Sequence, residues 1–102
     1  MGYNLIITPS ADKDLSDIIE YMSNDLSNPN AAKRFYEKVE KSYDNLEEFP
    51  CMYPLCELPE FSDNHRKIII DDYVIVYKFD ESSGEISILR VLYGKVSLLN
   101  EL

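Results

Sequence analysis

The sequence has few basic residues for its length, and this shortage is the first constraint on its function. Only 10 Lys and Arg stand against 19 Asp and Glu in 102 residues, which gives a formal net charge of −9. The excess of acid extends along the chain, since residues 1–49 carry −5 and residues 50–102 carry −4. Neither half has the domain-wide positive field that attracts nucleic acid. Contact with RNA or DNA would need a local patch of cations, and the alternatives are a basic partner or a protein surface that needs no electrostatic attraction.

Common catalytic and cofactor signatures are also missing. The chain has a single His and contains no G-x-S-x-G, P-loop or H-E-x-x-H pattern, so we expect no bound cofactor. Cys51 and Cys56 lie in a proline-rich connector with C-x4-C spacing. A zinc site that adds His65 would have three ligands instead of four, and a disulfide is rare in a reducing compartment. We therefore expect two free, partly buried thiols and no metal.

No stretch of the sequence is long and apolar enough to form a membrane helix. The N-terminus shows no signal peptide, and Ile6 does not fit the myristoylation pattern. These features predict a soluble, cytoplasmic protein with no membrane association. A chain of 102 residues with 45% hydrophobic content fits one folded domain over residues 1–102, and no internal repeat or linker divides it.

The first half of the chain predicts a strand followed by two amphipathic helices. Residues 3–8 form a β-branched run that stops at Pro9, and the first helix extends from about Ser10, its expected N-cap, to Leu26. The second helix extends from about Pro29, after an Asn cap, to Glu48. Apolar residues recur in steps of three and four. In the first helix they are Leu15, Ile18, Ile19, Met22 and Leu26, with Asp14, Asp17, Glu20 and Asp25 on the opposite face, and in the second helix they are Ala32, Phe35, Val39, Tyr43 and Leu46. We expect an antiparallel helix hairpin that covers a sheet, a free coiled-coil seam being the alternative.

The second half predicts strands joined by tight turns. The runs His65–Ile70, Tyr73–Phe79 and Glu85–Tyr93 are rich in β-branched residues and are separated by a two-residue turn and a Gly-containing turn. Residues 55–58 could add a short strand, and residues 96–102 form a tail with at most one helical turn. The order predicts an α+β fold: an N-terminal strand, a helix hairpin, then a mostly antiparallel sheet of three to four strands, packed as a two-layer sandwich. The Tyr73–Phe79 run is apolar on both faces apart from its Lys, which places it inside the sheet.

The last strand carries a cation among apolar neighbours. Strict alternation would place Arg90 on the same face as Ile88 and Leu92, and the opposite face would carry Val91 and Tyr93. An unpaired guanidinium there would be costly. The alternatives are an internal salt bridge with an acidic residue and a functional cation that faces a phosphate or a partner.

Further cations and phenols could gather around Arg90. Arg66 lies at the start of the His65–Ile70 strand, with Lys67 pointing to the other face, and Lys95 follows the last strand. If these strands flank the Tyr73–Phe79 strand, one concave surface could collect the following side chains: Arg66, Arg90, Lys95, Tyr73, Tyr77 and Tyr93. Such a set suits RNA, because guanidinium groups hold phosphates and phenols stack on bases. A metal-independent ribonuclease also needs a general base and acid, for which Tyr93 or His65 would serve.

Six segments spread over nearly the whole chain form a combination that is specific, although no single segment is. They are Ile7–Leu15, Ala31–Phe35, Leu46–Pro50, His65–Ile69, Tyr73–Tyr77 and Ile88–Lys95. Together they resemble the RelE/ParE family of bacterial toxins, the toxin halves of type II toxin–antitoxin (plasmid stabilisation) systems. The resemblance implies a RelE-like fold. It also implies four candidate site residues: Arg66, Arg90, Tyr93 and Lys95.

The resemblance implies two kinds of activity. RelE-like members are ribosome-dependent mRNA endoribonucleases, whereas ParE-like members inhibit DNA gyrase. The RelE-like pattern is depleted here: Val74 stands where an Arg usually follows the central-strand Tyr, and the last strand ends in Tyr93-Gly94-Lys95 instead of His or Gly-Lys-Arg. The Arg-Val-Leu-x-Gly form of that strand is closer to ParE-like members.

We therefore expect a ParE-like toxin that binds a cellular target such as DNA gyrase. The second expectation is a metal-independent ribonuclease acting on ribosome-bound mRNA, so whether the chain is an enzyme stays open. The third is a non-toxic member that keeps only the antitoxin-binding scaffold. All three imply a cognate antitoxin that docks along the two helices and the sheet edge through protein–protein contacts. An acidic toxin predicts an antitoxin segment richer in Lys and Arg than usual.

Overall fold

The computed structural model describes residues 3–56 and 64–94 of the chain. In this part, two helices cover one face of a four-stranded sheet, which confirms the predicted α+β class. The sheet order is β1-β4-β3-β2, with β1 parallel to β4 and the other neighbours antiparallel. The elements are β1 (Asn4–Ile7), α1 (Pro9–Glu20), a π-helical segment (Tyr21–Asp25), α2 (Pro29–Glu48), β2 (His65–Ile70), β3 (Tyr73–Asp80) and β4 (Glu85–Tyr93). No helix in the described ranges is long and apolar enough to cross a membrane.

The N-cap of α1 differs from the prediction. Thr8, not Ser10, caps the helix: its Oγ1 accepts a hydrogen bond from the Ala11 amide at 3.3 Å. Pro9 occupies the first helical position, where its fixed φ fits the helix and its missing N–H costs nothing. A proline that was expected only to stop the strand therefore also starts the helix.

The first helix also ends earlier than its apolar pattern indicates. Regular α-helix stops at Glu20 and gives way to the π-helical segment, and Leu26 beyond it is 56% exposed. The prediction that Leu26 belongs to the buried stripe is therefore wrong. Ser27 then adopts a left-handed φ of +50°, which breaks the helical path before α2.

The second helix matches its prediction at both ends. The Asn28 side chain accepts a hydrogen bond from the Ala31 amide at 3.1 Å, and Pro29 occupies the first turn. All five stripe residues are no more than 8% exposed. Four of them, Phe35, Val39, Tyr43 and Leu46, share one core with residues of all three C-terminal strands. These are Ile68 and Ile70 of β2, Ile75 and Tyr77 of β3, and Ile86, Ile88 and Val91 of β4. We call the side of the sheet that carries these residues the helix-covered face and the other side the outer face.

A β-bulge in β4 reverses the predicted alternation of its side chains. Val76 pairs with Arg90 but Tyr77 pairs with Ile88, so Leu89 is an extra residue without a partner in β3. The prediction that Arg90 shares a face with Ile88 is therefore wrong. Beyond the bulge, Val91 takes the buried position and Arg90 turns to the outer face.

Residues with a left-handed backbone form the two turns of the sheet, and a glycine directly follows β4. Asp71 forms the β2–β3 turn with φ +55°, and Gly84 ends the β3–β4 turn with φ +72°. Gly94 lies so close to β3 that an added Cβ would overlap with Val74 Cγ2. Leu55 forms an isolated antiparallel bridge with Arg66. The rest of the predicted 55–58 strand, and the tail at 96–102, lie outside the described residues.

Candidate functional site

Arg90 is held by an acidic side chain from the first helix. Its Nε donates to Asp14 Oδ2 at 2.6 Å and its Nη2 donates to Asp14 Oδ1 at 3.1 Å. The pair is bidentate and only partly exposed, with 17% of the Asp14 side chain and 42% of the Arg90 side chain accessible. Of the two alternatives drawn from the sequence, the internal salt bridge is the one that the structure contains. The expectation that Asp14 lies on the solvent face of α1 is wrong.

The sheet topology explains why Asp14 reaches this place. β1 ends at Ile7, so beyond Ile88 the edge of β4 that faces away from β3 has no neighbouring strand among the described residues. Thr8 and Asp14 of the following helix cover that open edge instead. The Thr8 hydroxyl donates to the carbonyls of Ile88 (2.8 Å) and Leu89 (3.2 Å), and the Val91 amide donates to Asp14 Oδ2 at 3.0 Å. The start of α1 therefore satisfies the backbone groups that the bulge exposes.

The charge state of this cluster is fixed near neutral pH. Burial of Asp14 opposes its ionisation, but the hydrogen bonds from Arg90 and from the Val91 amide outweigh burial and lower the pKa of Asp14. The hydrogen bond with Asp14 in turn raises the pKa of Arg90. The two groups therefore form a stable ion pair, although part of the Arg90 side chain still faces solvent.

Among the described residues, Arg66 binds backbone carbonyls and not an acidic side chain. Its Nη1 donates to the Tyr53 carbonyl at 2.6 Å and, more weakly, to the Cys51 carbonyl at 3.5 Å. The Tyr77 hydroxyl donates to the carbonyl of Pro50 at 2.7 Å. Arg66 and Tyr77 thus hold the connector that follows α2 against the end of the sheet.

The sheet register separates the two candidate arginines. Arg66 pairs with Tyr77 of the core, which places it on the helix-covered face. Lys67 pairs with Val76, and Val76 pairs with Arg90, so these three side chains form a row on the outer face. The predicted strand order around β3 is confirmed, and so are the opposite directions of Arg66 and Lys67. The structure nevertheless brings Lys67, not Arg66, into line with Arg90, about 10 Å away across two strand spacings.

The tyrosines are divided between the core and the surface. Tyr77 is fully buried, and burial is the main reason that its pKa rises to about 12. The prediction that its phenol lies on an exposed concave surface is therefore wrong. Tyr93 is 45% exposed and contacts the Tyr73 ring at 5.5 Å between centroids, and Tyr73 in turn contacts Phe35 of α2 at 5.1 Å. Tyr73 and Tyr93 stay together at one end of the helix-covered face, while Lys95 lies outside the described residues.

The two cysteines lie in the connector between α2 and β2. Cys51 and Cys56 are free, with Cys51 exposed and Cys56 half-buried. The carbonyl of His65 accepts the Cys56 amide at 2.7 Å, so the expected connector lies beside β2. Among residues 3–56 and 64–94, no group of three or more His, Cys, Asp or Glu is arranged to hold a metal ion.

Two residues of the site were missed by sequence reasoning. From the sequence, Asp14 resembles the other acids on the polar face of the first helix. Lys67 directly follows Arg66, which the sequence favours as the candidate. The apolar residues at 86, 88, 91 and 92 could have indicated a break in alternation, since a regular strand keeps one parity on its buried face. No feature of the sequence identifies Asp14 as the partner, because 76 residues separate it from Arg90.

A groove between the helices offers a second kind of site. It has a volume of about 490 Å³, an apolar floor and an acidic rim. Its floor contains Leu15, Ile19, Val39 and Tyr43, and its rim carries Asp12, Glu20 and Glu40. This arrangement suits an apolar segment of a partner that also carries positive charge.

Solved structures with a similar fold come from toxin–antitoxin systems. The chromosomal ParDE system of P. aeruginosa contains a chain that superposes with a TM-score of 0.69 at 19% identity, over 89% of this chain and 95% of that one. The RelBE2 toxin–antitoxin complex of Mycobacterium tuberculosis gives 0.61 at 22% identity, over 91% and 99%. An arginine-to-alanine double mutant of E. coli toxin RelE in the free state gives 0.60 at 16% identity, over 99% and 93%. These likenesses show the shared fold.

The sequence itself identifies the family. No individual curated protein matches the chain significantly. A family model for the ParE toxin of the type II toxin–antitoxin system parDE, however, matches residues 5–97, which include every helix and strand described above except Asn4, the first residue of β1. The chain therefore belongs to the ParE toxin family of type II toxin–antitoxin systems.

Proposed function

We propose that this chain inhibits growth by binding a cellular protein, with DNA gyrase as the candidate target, and that it does not cleave RNA. The observation that carries the proposal is the separation of its two candidate arginines. Arg66 lies on the helix-covered face and binds connector carbonyls, whereas Arg90 lies on the outer face and binds Asp14.

A metal-independent ribonuclease needs cations and proton-transfer groups that converge on one phosphate. In the described residues, Arg66 and Arg90 cannot meet a common phosphate from opposite faces of the sheet. Tyr93, the candidate proton donor, is on the helix-covered face with Val91, away from the Arg90 side. The net charge of −9 opposes RNA over the whole surface. These three facts support a toxin that acts through protein–protein contacts.

The same proposal includes an antitoxin partner and a single cytoplasmic toxin domain over residues 1–102. The groove between α1 and α2 is the docking surface that best fits an amphipathic antitoxin segment. Its acidic rim favours a segment rich in Lys and Arg, so the affinity should fall as salt rises. An affinity that rises with salt would contradict this part of the proposal.

The experiment is a DNA supercoiling assay with purified gyrase and purified toxin, run beside a translation assay with ribosomes and mRNA. The proposal predicts loss of supercoiling and intact mRNA. Intact supercoiling together with cleaved mRNA would instead establish the ribonuclease alternative. If neither activity changes, the chain keeps the fold without the toxicity.

A further inference from the structure

The connector after α2 displays apolar side chains that a folding chain would ordinarily bury. Phe49, directly before the buried Pro50, is 61% exposed, and Met52, two residues after it, is 51% exposed. Beside them, Tyr3 and Phe79 meet edge to face, with ring centroids 5.2 Å apart. Together these residues line a groove of about 630 Å³, which we call the Phe49 patch.

The Phe49 patch is held in place by hydrogen bonds to its backbone. The Tyr77 hydroxyl and the Arg66 guanidinium anchor the connector, as described above. The Met52 amide donates to the Phe49 carbonyl at 3.1 Å and closes a turn. The Tyr3 amide donates to the carbonyl of Glu47 at 3.3 Å and ties β1 to the end of α2. Exposed aromatic and Met side chains on a fixed backbone are the typical content of a preorganised protein interface.

The charge around the Phe49 patch favours a basic partner. Its described lining contains two carboxylates, Glu48 and Glu81, and no Lys or Arg. Arg66 and Lys78 line a separate adjoining cavity, and Arg66 is already bound to carbonyls. A second copy of this chain would bring like charges together at the patch, with −9 on each partner. A segment that carries Lys or Arg beside a large apolar side chain would bury the rings and neutralise the rim.

We propose that the Phe49 patch docks a basic segment of the protein that this toxin inhibits, with an apolar side chain of that segment inserted between Phe49 and Met52. The proposal rests on the proposed function for the identity of the partner. The patch shares no lining residue with the groove between α1 and α2, so it gives the target a surface separate from the one proposed for the antitoxin.

The test uses Phe49→Ser and Met52→Ser, with Leu26→Ser as the matched control, because Leu26 is 56% exposed and lines none of the patch. Circular dichroism and thermal melts first establish that each variant is folded. In the gyrase assay, each patch variant should need about tenfold more protein for the same inhibition, and the control should match the wild type. Full inhibition by both folded patch variants would overturn the proposal.

A second measurement separates failure of the patch from failure of the gyrase hypothesis. Amide NMR shifts of the wild-type chain are followed during titration with a capped pentapeptide that alternates arginine with leucine and phenylalanine. A peptide with glutamate in place of arginine is the control. If gyrase is not inhibited at all, salt-sensitive shifts at Phe49 and Met52 with the arginine peptide alone still support a basic partner. The proposal would be overturned if neither peptide shifts these amides, or if both peptides shift them equally. It would also be overturned if the chain forms a dimer that Phe49→Ser dissociates, because a second copy would then occupy the patch.

Discussion

Replacing Asp14 by alanine should destabilise the protein more than any other change to a surface acid that we describe. The carboxylate accepts three hydrogen bonds: two from Arg90, at 2.6 and 3.1 Å, and one from the Val91 amide at 3.0 Å. It therefore joins α1 to the bulged part of β4, where β1 no longer covers the sheet edge. Without it, a guanidinium and a backbone N–H both lose their acceptor.

The expected loss of folding stability in Asp14→Ala follows from the exposure of the groups that lose their partner. A half-buried N–H without an acceptor costs about 1–2 kcal/mol. The ion pair adds only about 1 kcal/mol, because 42% of the Arg90 side chain faces solvent. We expect a total loss of about 2–3 kcal/mol, which in a domain of this size lowers the midpoint of thermal unfolding by about 10 °C.

The assay is urea and thermal unfolding of wild type and Asp14→Ala, followed by circular dichroism over a range of pH. The pKa of Asp14 is lowered in the folded state, so its stabilisation is fully present above the unfolded-state value of about 4. It is lost as the pH falls through the lower folded-state pKa. The difference between the two proteins should therefore be constant near neutral pH and shrink in acid.

The control is Asp17→Ala, which removes an exposed pair with Lys13 on the same helix and should change little. A double-mutant cycle of Asp14→Ala with Arg90→Ala should give a coupling of about 1 kcal/mol. If Asp14→Ala is no less stable than Asp17→Ala, or if the coupling is absent, the ion pair does not join α1 to β4 as described.

Three further changes test other parts of the structure. Gly94→Ala should cost about 1–3 kcal/mol in thermal melts, because its Cβ would meet Val74, and adding Val74→Ala should recover much of the loss. Tyr77→Phe should cost about 1–2 kcal/mol in urea unfolding, because the Pro50 carbonyl loses its buried donor. Since burial raises the pKa of Tyr77 to about 12, the stability present below about pH 10 should be lost as the pH rises toward that value, and an absorbance titration should show this late ionisation. Tyr93→Phe should leave growth inhibition unchanged in induced cells; a large loss would indicate the proton-transfer role of a ribonuclease.

The elements that could be predicted from the sequence are those whose signals are local. The second helix begins at an Asn-Pro cap, shows apolar residues in steps of three and four, and ends just before Pro50, so its bounds are as predicted. The last strand also has the predicted ends, Glu85 and Tyr93. Local patterning places these elements because their apolar residues and their caps lie within the elements themselves.

The arrangement of the candidate site depends on residues that are distant in sequence. The bulge at Leu89 is supported by Thr8 and Asp14, which come from the other end of the chain. One extra residue in a strand reverses the face of every side chain beyond it. For this reason a correct strand still gave a wrong face for Arg90, and Lys67 was overlooked as its neighbour on the outer face.

The measurement that tests the central claim most directly is pulse labelling of protein and DNA synthesis after induction of the chain in a bacterial host without antitoxin. A toxin that binds gyrase predicts an early fall in DNA synthesis while translation continues. A collapse of protein synthesis within minutes, with DNA synthesis following later, would contradict the account and establish the ribonuclease alternative.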